Sequence, residues 1–326
     1  MENTVFLCNE KQNIHNAYTE EQIGGCPVIS TEELKVSGPL KGVTTVFSTW
    51  GMPAFSEEEA ALLLPDLKEI YYAAGTVQQF ARPYMERGVR IFSAWAANAV
   101  PVAEFTLEQI LLSNKGYFQL VKRYREEGFE KAGDYGGHFM GNYNNRVGLI
   151  GAGMVGKKVI ENLKPFDLEV WVFDPFLPDE KAEELGVRKT TLEDIFMNCP
   201  VISNHLANNA ETKGMIDYRL LSMMSPYAVF INTGRGAQVV TGDLVRAMRE
   251  EPGRTALIDV TDPAEPLPEG HEFFSVPNIL VTPHRAGSQK KEIFRMGAYM
   301  MEEMERVRSG KAPLYEVTLD MLKTMA

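Results

Sequence analysis

An arginine, a group of acids and a histidine follow three successive apolar runs of the sequence. Together such side chains can act on a carboxylic acid. They are Arg235 in the turn Asn-Thr-Gly-Arg-Gly, the acids Asp259, Asp262 and Glu265 after the next run, and His284 after the last. An arginine can hold a carboxylate through two parallel hydrogen bonds, and a histidine can exchange a proton at neutral pH. An acid can orient the imidazole and favour its charged form. Taken singly, each has a simpler interpretation: a turn arginine, a solvated charge or a structural histidine.

A glycine-rich turn predicts a phosphate-binding loop. An apolar run leads into the pattern G-x-G-x-x-G at Gly151, Gly153 and Gly156. The first glycine permits a tight turn, the second lets the backbone approach a pyrophosphate, and the third lets the helix pack on the strand. Backbone N–H groups at the start of the following helix, around Met154 and Val155, can bind phosphate without a lysine.

The next apolar run ends in an acid, Asp174, which comes 18 residues after Gly156. A carboxylate there can accept hydrogen bonds from the adenosine ribose hydroxyls and would repel a 2′-phosphate. The three residues that follow it contain no Arg or Lys to offset that repulsion. The sequence therefore predicts NAD rather than NADP; the simpler alternative is an ordinary strand–helix turn with an exposed aspartate.

The elements that would position these groups indicate an α/β fold with mostly parallel strands. Six short apolar runs recur, mostly with helical stretches between them, at 147–150, 168–173, 201–203, 228–231, 256–259 and 279–282. They predict a complete doubly wound nucleotide-binding sheet. Earlier strands are expected at 42–48, 70–73 and 89–92, with a short helix at 57–64. Pro101 is expected to open a longer helix, and 290–308 reads as an amphipathic helix with a methionine stripe in the core.

Composition limits the classes of function. The chain has 326 residues, enough for two domains, with 44% hydrophobic and 24% charged residues. The net charge of −11 should repel nucleic acids and anionic membranes. Three scattered cysteines favour a reducing cytoplasm over a disulfide framework, and no spacing of Asp, Glu or His suggests a metal. Neither a signal peptide nor a membrane span is expected.

The order and spacing of these motifs resemble the D-isomer-specific 2-hydroxyacid dehydrogenases. The resemblance covers nearly the whole chain and is strongest from Pro101 to Gly287. Besides the glycine loop, the matching segments are Val-Ala-Glu-Phe (102–105), Phe-Asp-Pro-Phe (173–176), Glu-Thr-Lys-Gly-Met-Ile (211–216), Asn-Thr-Gly-Arg-Gly (232–236), Asp-Val-Thr-Asp-Pro (259–263) and Thr-Pro-His (282–284). The resemblance implies that Arg235 binds the substrate carboxylate and polarises the keto oxygen. It implies that His284 is the general acid and base, with Glu265 as its partner.

The resemblance also implies contacts to substrate and cofactor. Gly75, Thr76 and Val77 match the family's glycine loop, whose backbone N–H groups hold the substrate carboxylate. Thr233 and Asp259 fall at positions that line the nicotinamide end of the cofactor. The reaction implied is hydride transfer between NAD and a small 2-hydroxy or 2-keto acid.

The architecture implied is a Rossmann NAD-binding domain, residues 103–287, inserted in a flavodoxin-like substrate domain made of 1–102 and 288–326. The active site of the family lies in the cleft, and the inserted domain is commonly part of a homodimer interface. A homodimer is therefore expected, and His138 in a Gly-rich loop could belong to a dimer arm. His205 matches a position near the cofactor.

Several positions depart from the family pattern. The partner acid usually follows the Asp259 equivalent by five residues, but that place is Ala264 here and Glu265 lies one later, so Asp262 is a weaker rival for the role. Arg285 replaces a residue that is more often small or apolar, and it could read a second negative group or point to solvent.

Two further departures are Ala207, where Pro is usual, and Val240, where Asp is usual. Trp50 and Trp95 lie beside the expected substrate wall and could shape a pocket or simply pack.

Two other functions compete with a 2-hydroxyacid dehydrogenase. Some relatives bind NAD(H) and act mainly as co-repressors or regulatory scaffolds, which the intact Arg, Glu and His set disfavours. Formate dehydrogenases are disfavoured because they are expected to lack the glutamate. The sequence leaves the side chain of the substrate open.

Overall fold

The chain folds into two units, each with its own sheet. A computed structural model describes residues 3–323. Met1–Asn98 and Ser288–Ala326 form the first unit, and Ala99–Gly287 forms the second. Within the described residues, no helix has the length and apolar character needed to cross a membrane.

The elements follow one another in strand–helix alternation. The first part of the chain contains β1 (Thr4–Cys8), α1 (Lys11–Ala17), α2 (Glu20–Ile23), β2 (Val28–Ser30), α3 (Thr31–Ser37), β3 (Thr45–Ser48), α4 (Glu57–Leu63), β4 (Glu69–Tyr72), α5 (Ala81–Glu86) and β5 (Arg90–Ser93). The long helix α6 (Trp95–Asn114) leads into the second unit. There follow α7 (Tyr117–Glu127), α8 (Phe129–Gly136), β6 (Tyr143–Ile150), α9 (Met154–Leu163), β7 (Asp167–Phe173), α10 (Asp179–Leu185), β8 (Arg188–Lys189), α11 (Leu192–Asn198), β9 (Val201–Asn204), α12 (Tyr218–Ser222), β10 (Val229–Asn232), α13 (Thr241–Glu250), β11 (Thr255–Ile258) and β12 (Ile279–Val281).

The chain then returns to the first unit with α14 (Ile293–Arg308) and β13 (Glu316–Val317). Short 3₁₀ helices lie at Gly236–Gln238, Glu272–Ser275, Lys290–Glu292 and Met321–Lys323.

The sheet of the second unit has the order β12-β11-β10-β9-β6-β7-β8, and all its strand pairs are parallel. The strand order reverses between β6 and β9, which is the topological switch point of a Rossmann fold. All six predicted runs are strands of this sheet, and the short edge strand β8 adds a seventh. The predicted fold class is confirmed in this unit.

The sheet of the first unit has the order β13-β5-β4-β3-β1-β2 and is parallel except for β13. Its central order is that of a flavodoxin-like fold, as predicted. One face carries a row of stacked rings from Phe6, Phe47, Tyr71 and Phe92, whose neighbouring centroids are 4.6 to 5.2 Å apart. The methionine stripe of α14, at residues 296, 300 and 304, is buried in the same cluster. This confirms the expectation that the stripe is core.

The edge strand β13 pairs antiparallel with β5. Arg90 on β5 holds Glu316 on β13 through two hydrogen bonds, of 2.9 Å from Nε and 2.8 Å from Nη2. A bidentate pair of this kind fixes the register of a strand that is only two residues long.

The prediction that Pro101 opens a helix is wrong. The helix α6 begins at Trp95 and carries Pro101 inside it. The residues ahead of the proline include Ala96, Ala97 and Ala99, which favour helix strongly, and the proline removes only one backbone hydrogen bond. The first segment of the first unit ends at Asn98, inside this continuous helix, and the second unit begins at Ala99.

Candidate active site

The glycine pattern forms the turn between β6 and α9 in the second unit. Gly151 has φ +95°, a left-handed conformation that favours glycine, and a Cβ there would lie 2.8 Å from the carbonyl oxygen of His205. A Cβ on Gly156 would collide with the carbonyl oxygen of Gly151. These two glycines let α9 pack closely against the strand ends.

Gly153 has open space in front of it, since no heavy atom lies within 4 Å of a Cβ built there. It is the N-cap residue of α9, and Met154 and Val155 form the first turn. The N–H groups of a first turn have no acceptor inside the helix. The opening and these donors fit the pyrophosphate of a dinucleotide, which Gly153, Met154 and Val155 would hold.

Asp174 follows β7 and ties that strand to the phosphate loop. One carboxylate oxygen accepts from the N–H of Ala152 at 2.7 Å, and the other accepts from the N–H of Phe176 at 2.8 Å. Each carboxylate oxygen can accept a second hydrogen bond. Asp174 is only partly buried, so it retains acceptor capacity for ribose hydroxyls while it braces the loop.

The imidazole of His284 contacts the carboxylate of Glu265. The distance from Nδ1 of His284 to Oε1 of Glu265 is 3.0 Å, and both side chains are close to half exposed, at 47% and 40%. The structure thus pairs the histidine with Glu265. Asp262, its rival, has its backbone carbonyl oxygen bound to the hydroxyl of Thr241 at 3.0 Å.

Asp259 holds the loop that carries the histidine. Its buried carboxylate accepts hydrogen bonds from the hydroxyl of Thr282 at 2.6 Å and from the backbone N–H groups of Arg285 at 2.7 Å and Ala286 at 2.9 Å. His284 lies between these donors and has φ +50°. Three bonds to one carboxylate constrain this unusual backbone, a task for Asp259 that the sequence did not suggest.

Arg235 lies close enough to Glu265 for their charges to interact. Burial lowers the pKa of its guanidinium from the ordinary value, and the negative charge of Glu265 acts in the opposite direction. An arginine stays protonated at neutral pH. Its Nη1 donates to the carbonyl oxygen of Gly234 at 2.8 Å, within its own turn. The second unit therefore brings a guanidinium, a carboxylate and an imidazole together, which is a set suited to binding a carboxylate and exchanging a proton.

Thr233 and His205 occupy buried positions next to this set and the phosphate loop. The hydroxyl of Thr233 lies 3.1 Å from that of Thr106 on α6. Burial lowers the pKa of His205 to about 4, so its ring is neutral at pH 7. Its Nε2 is 3.0 Å from the hydroxyl of Ser203, while its Nδ1 is buried without a hydrogen-bond partner among the described residues.

Three buried amide side chains beside Arg235 were not predicted from the sequence. They are Asn204, Asn232 and Gln238, and none is more than 1% exposed. The only signal available was an asparagine at the end of each of two apolar runs, where a buried strand normally has no polar residue.

The predicted substrate residues of the first unit follow two adjacent strands. The loop after β4 contains Gly75, Thr76 and the buried Val77, and the hydroxyl of Ser93 donates to the carbonyl oxygens of Ala74, at 2.8 Å, and Gly75. The hydroxyl of Thr76 accepts weakly from a backbone N–H at 3.4 Å. This loop is therefore tied down at its backbone.

The two tryptophans, Trp50 and Trp95, differ in exposure and packing. Trp50, after β3, keeps its side chain 44% exposed. Trp95 packs edge-on against Tyr315 at 6.0 Å, so the packing interpretation describes it better.

The remaining candidates lie at the surface or in local packing. Arg285 is exposed, and among the described residues its guanidinium has no ion pair. His138 stacks on Tyr227, with ring centroids 4.1 Å apart. Val240 is the N-cap residue of α13 and makes no side-chain cap. Over residues 3–323, no group of three or more His, Cys, Asp or Glu is arranged to hold a metal ion.

Sequence comparison identifies relatives of the chain. Residues 107–286 match the family model described as D-isomer specific 2-hydroxyacid dehydrogenase, NAD binding domain. A glyoxylate reductase of Aeropyrum pernix is 32% identical over 177 residues, which are 54% of this chain and 52% of that protein. A D-3-phosphoglycerate dehydrogenase of Methanocaldococcus jannaschii is 24% identical over 227 residues, 69% of this chain and 42% of that one. The match spans about half the length of these curated relatives.

Structural comparison gives the same fold. A phosphoglycerate oxidoreductase from Rhizobium etli has a TM-score of 0.80 at 21% identity, covering 99% of this chain and 100% of that one. A D-isomer specific 2-hydroxyacid dehydrogenase from Lactobacillus delbrueckii ssp. bulgaricus, in its NAD complexed form, has a TM-score of 0.77 at 19% identity, covering 97% and 100%. The family model, which describes an NAD binding domain, covers more than half of the sequence and lies within the second unit. The chain therefore belongs to the D-isomer specific 2-hydroxyacid dehydrogenase family.

Proposed function

We propose that the chain is an NAD-dependent D-2-hydroxyacid dehydrogenase that interconverts a 2-hydroxy acid and the corresponding 2-keto acid. The proposal rests on the 3.0 Å contact between His284 and Glu265 with the charge of Arg235 nearby. NAD, when bound, would accept a hydride from the α-carbon of the hydroxy acid, or donate one to the keto acid as NADH. Gly151, Gly153 and Gly156 form the loop that would hold its pyrophosphate.

His284 exchanges the proton in this proposal. Its Nδ1 is engaged by Glu265, which leaves Nε2 to face the substrate oxygen. In reduction, Nε2 of the imidazolium gives its proton to the oxygen of the former keto group, and the neutral ring regains a proton from solvent. The Glu265 carboxylate orients the ring through its contact with Nδ1. Positioned proton transfer of this kind is worth about 10²–10⁴ in rate.

Arg235 binds and polarises the substrate. Its guanidinium pairs with the carboxylate and stabilises negative charge on the reacting oxygen. We also assign Gly75, Thr76 and Val77 to the substrate carboxylate, and Trp50 to the substrate side chain, on the family resemblance. The buried Thr233 would lie at the nicotinamide end of the cofactor.

A substrate panel tests this function. We expect NADH to be consumed with at least one of glyoxylate, hydroxypyruvate, pyruvate, 3-phosphohydroxypyruvate and a branched-chain 2-keto acid, and NADPH to be a poor replacement. The His284→Ala variant, which should bind NADH normally, is the matched control. Tight NADH binding without turnover on any of these acids would instead favour an NAD(H)-dependent regulatory protein of the same fold.

We further propose that two copies associate through α7 and α8. The helix α7 has no buried residue in the chain. It exposes Tyr117, Val121 and Tyr124, which lie on one helical face, and Phe129 on α8 is 78% exposed. Exposed apolar residues concentrated in this way are typical of an interface. We place the protein in the cytoplasm, in line with its scattered cysteines, which cell fractionation would test.

A further inference from the structure

The turn that carries Arg235 is enclosed by three buried amide side chains. Asn204 ends β9, Asn232 ends β10, and Gln238 ends the 3₁₀ helix that follows the arginine. Each is at most 1% exposed. Because β9 and β10 are parallel neighbours paired through Asn204 and Asn232, the two asparagines lie side by side at the strand ends.

Gln238 links the chain after β9 to the backbone of Arg235. Its Nε2 donates to the carbonyl oxygens of Leu206 at 2.7 Å and Ala207 at 3.0 Å. Its Oε1 accepts from the N–H of Arg235 at 3.2 Å and from Nδ2 of Asn204 at 2.6 Å. Carbonyl oxygens only accept and backbone N–H groups only donate, so the orientation of the amide is fixed and its hydrogen-bonding capacity is filled.

Asn232 holds the other side of the same residue. Its Nδ2 donates to the carbonyl oxygen of Arg235 at 3.1 Å. Its Oδ1 accepts from the N–H of Gly234 at 3.1 Å and from Nδ2 of Asn204 at 3.0 Å. Both backbone polar groups of Arg235 are thus bound by buried side chains, which leaves the turn little freedom to move.

Gly234 shows how closely the network is packed. A Cβ at this position would lie 2.9 Å from Oε1 of Gln238 and 3.1 Å from Nδ2 of Asn204. Contacts this short require the amide to move. The buried glutamine therefore fits only because position 234 has no side chain. A methyl group at 234 would displace the amide of Gln238 and break the network.

We propose that Gln238 is a positioning residue for the reaction, which acts by fixing the backbone from which the Arg235 guanidinium reaches the substrate carboxylate. The inference rests on the proposed function, because it assigns a substrate role to Arg235. Small displacements of a binding group are costly to catalysis, and a buried amide that leaves partners unsatisfied when removed is costly to stability. The experiment must separate these two effects.

The test compares Gln238→Met with a control that removes a hydrogen-bonded amide elsewhere in the same unit, where two bonds are lost instead of four. Methionine keeps the length of the side chain and removes the amide. In the control Asn278→Leu, the lost amide donates to the carbonyl oxygens of Met248 and Arg254, both at 2.8 Å, just before β12 begins. We expect both variants to unfold at lower temperature. Only Gln238→Met should raise KM for the 2-keto acid by about tenfold or more, with NADH affinity within about twofold of wild type.

Gly234→Ala provides a second route to the same defect. It should raise KM for the 2-keto acid as Gln238→Met does. The KM of the double variant should not exceed that of the single variants, because both substitutions disturb one network. A wild-type KM in Gln238→Met, or a KM defect of equal size in Asn278→Leu, would overturn the inference.

Hydrogen exchange keeps the two proposals distinguishable. The backbone amide of Arg235 should exchange faster in Gln238→Met than in wild type or Asn278→Leu, whatever the substrate. Absence of wild-type turnover on every 2-keto acid, with faster exchange at Arg235 in Gln238→Met, would refute the proposed function and leave only the ordering of the Arg235 backbone by Gln238. Unchanged exchange at Arg235 would refute the positioning role even if the enzyme is active.

Discussion

At the residue scale, the chemistry of the site depends on which ring nitrogen of His284 is engaged. The contact of 3.0 Å between Nδ1 and Glu265 fixes the imidazole and leaves Nε2 for the substrate. The orientation of the ring decides whether a proton can pass to the oxygen of a bound keto acid.

Removing the carboxylate of Glu265 should therefore slow reduction. In Glu265→Gln, the charged contact that orients the imidazole of His284 is lost, so kcat should fall. Asp262→Asn should keep kcat close to that of wild type, because the contact to the histidine comes from Glu265. Steady-state kinetics with NADH and a 2-keto acid would measure this. A lower kcat in Asp262→Asn, with none in Glu265→Gln, would reverse the assignment.

The buried His205 predicts a loss of stability on acidification. Its pKa falls from the ordinary 6.5 to about 4 in the folded chain. Between these values the unfolded chain binds a proton that the folded chain refuses, so the free energy of unfolding falls as pH drops through this window. The share from this residue is about 3 kcal/mol over the whole window. Urea unfolding at pH 7 and near pH 4.5 should show a smaller decrease in His205→Asn than in wild type; equal decreases would contradict the prediction.

The site residues differ in how far sequence could identify them. Arg235, Glu265 and His284 stand out because their types suit the chemistry and each follows an apolar run. Gln238 does not stand out, because its role depends on hydrogen bonds to Leu206 and Asn204. These partners come near only because β9 pairs with β10. Long-range geometry of this kind leaves no local pattern in a sequence.

At the element scale, the phosphate loop and β7 are coupled through Asp174. The carboxylate both carries the charge that would repel a 2′-phosphate and binds the N–H groups of Ala152 and Phe176. Its substitution therefore has two separable consequences.

Asp174→Asn should relax the preference for NAD while it keeps one acceptor oxygen for the loop. Asp174→Ala should also relax the preference but weaken the binding of both cofactors, because the phosphate loop loses its bond from Ala152 and the turn after β7 loses its bond from Phe176. Dissociation constants for NADH and NADPH, measured by fluorescence titration, would give the NADPH-to-NADH ratio for each variant. An unchanged ratio in both variants would mean that Asp174 does not discriminate between the cofactors.

Sequence patterns predicted six strands of the second sheet and β3 to β5 of the first, but not β1, β2 or the two-residue edge strands. The strands β9, β10 and β11 are buried along their whole length, and such strands appear as continuous apolar stretches. The edge strands β8 and β13 are two residues long and contain Arg188, Lys189 and Glu316, so no hydrophobic pattern marks them. The start of α6 was missed for a related reason, since a proline signal was given more weight than the alanines before it.

At the scale of the whole molecule, the apolar surface of α7 and α8 predicts a dimer. Val121→Glu should place a charge within this surface and shift the protein toward a monomer. Val36→Glu is the control, because Val36 is 85% exposed on α3 in the first unit. Light scattering coupled to size exclusion would give the mass of each variant. A monomeric wild type, or a Val121→Glu variant that stays dimeric, would contradict the proposed interface.

The split construction of the first unit has a consequence for biosynthesis. The ribosome releases β1 to β5 long before α14 and β13, with the entire second unit in between. The continuous second unit can fold as soon as it emerges, whereas the aromatic row of the first sheet must wait for the methionines of α14. During that delay the aromatic row of the first sheet stays uncovered, and it is the surface of the nascent chain that a chaperone would bind.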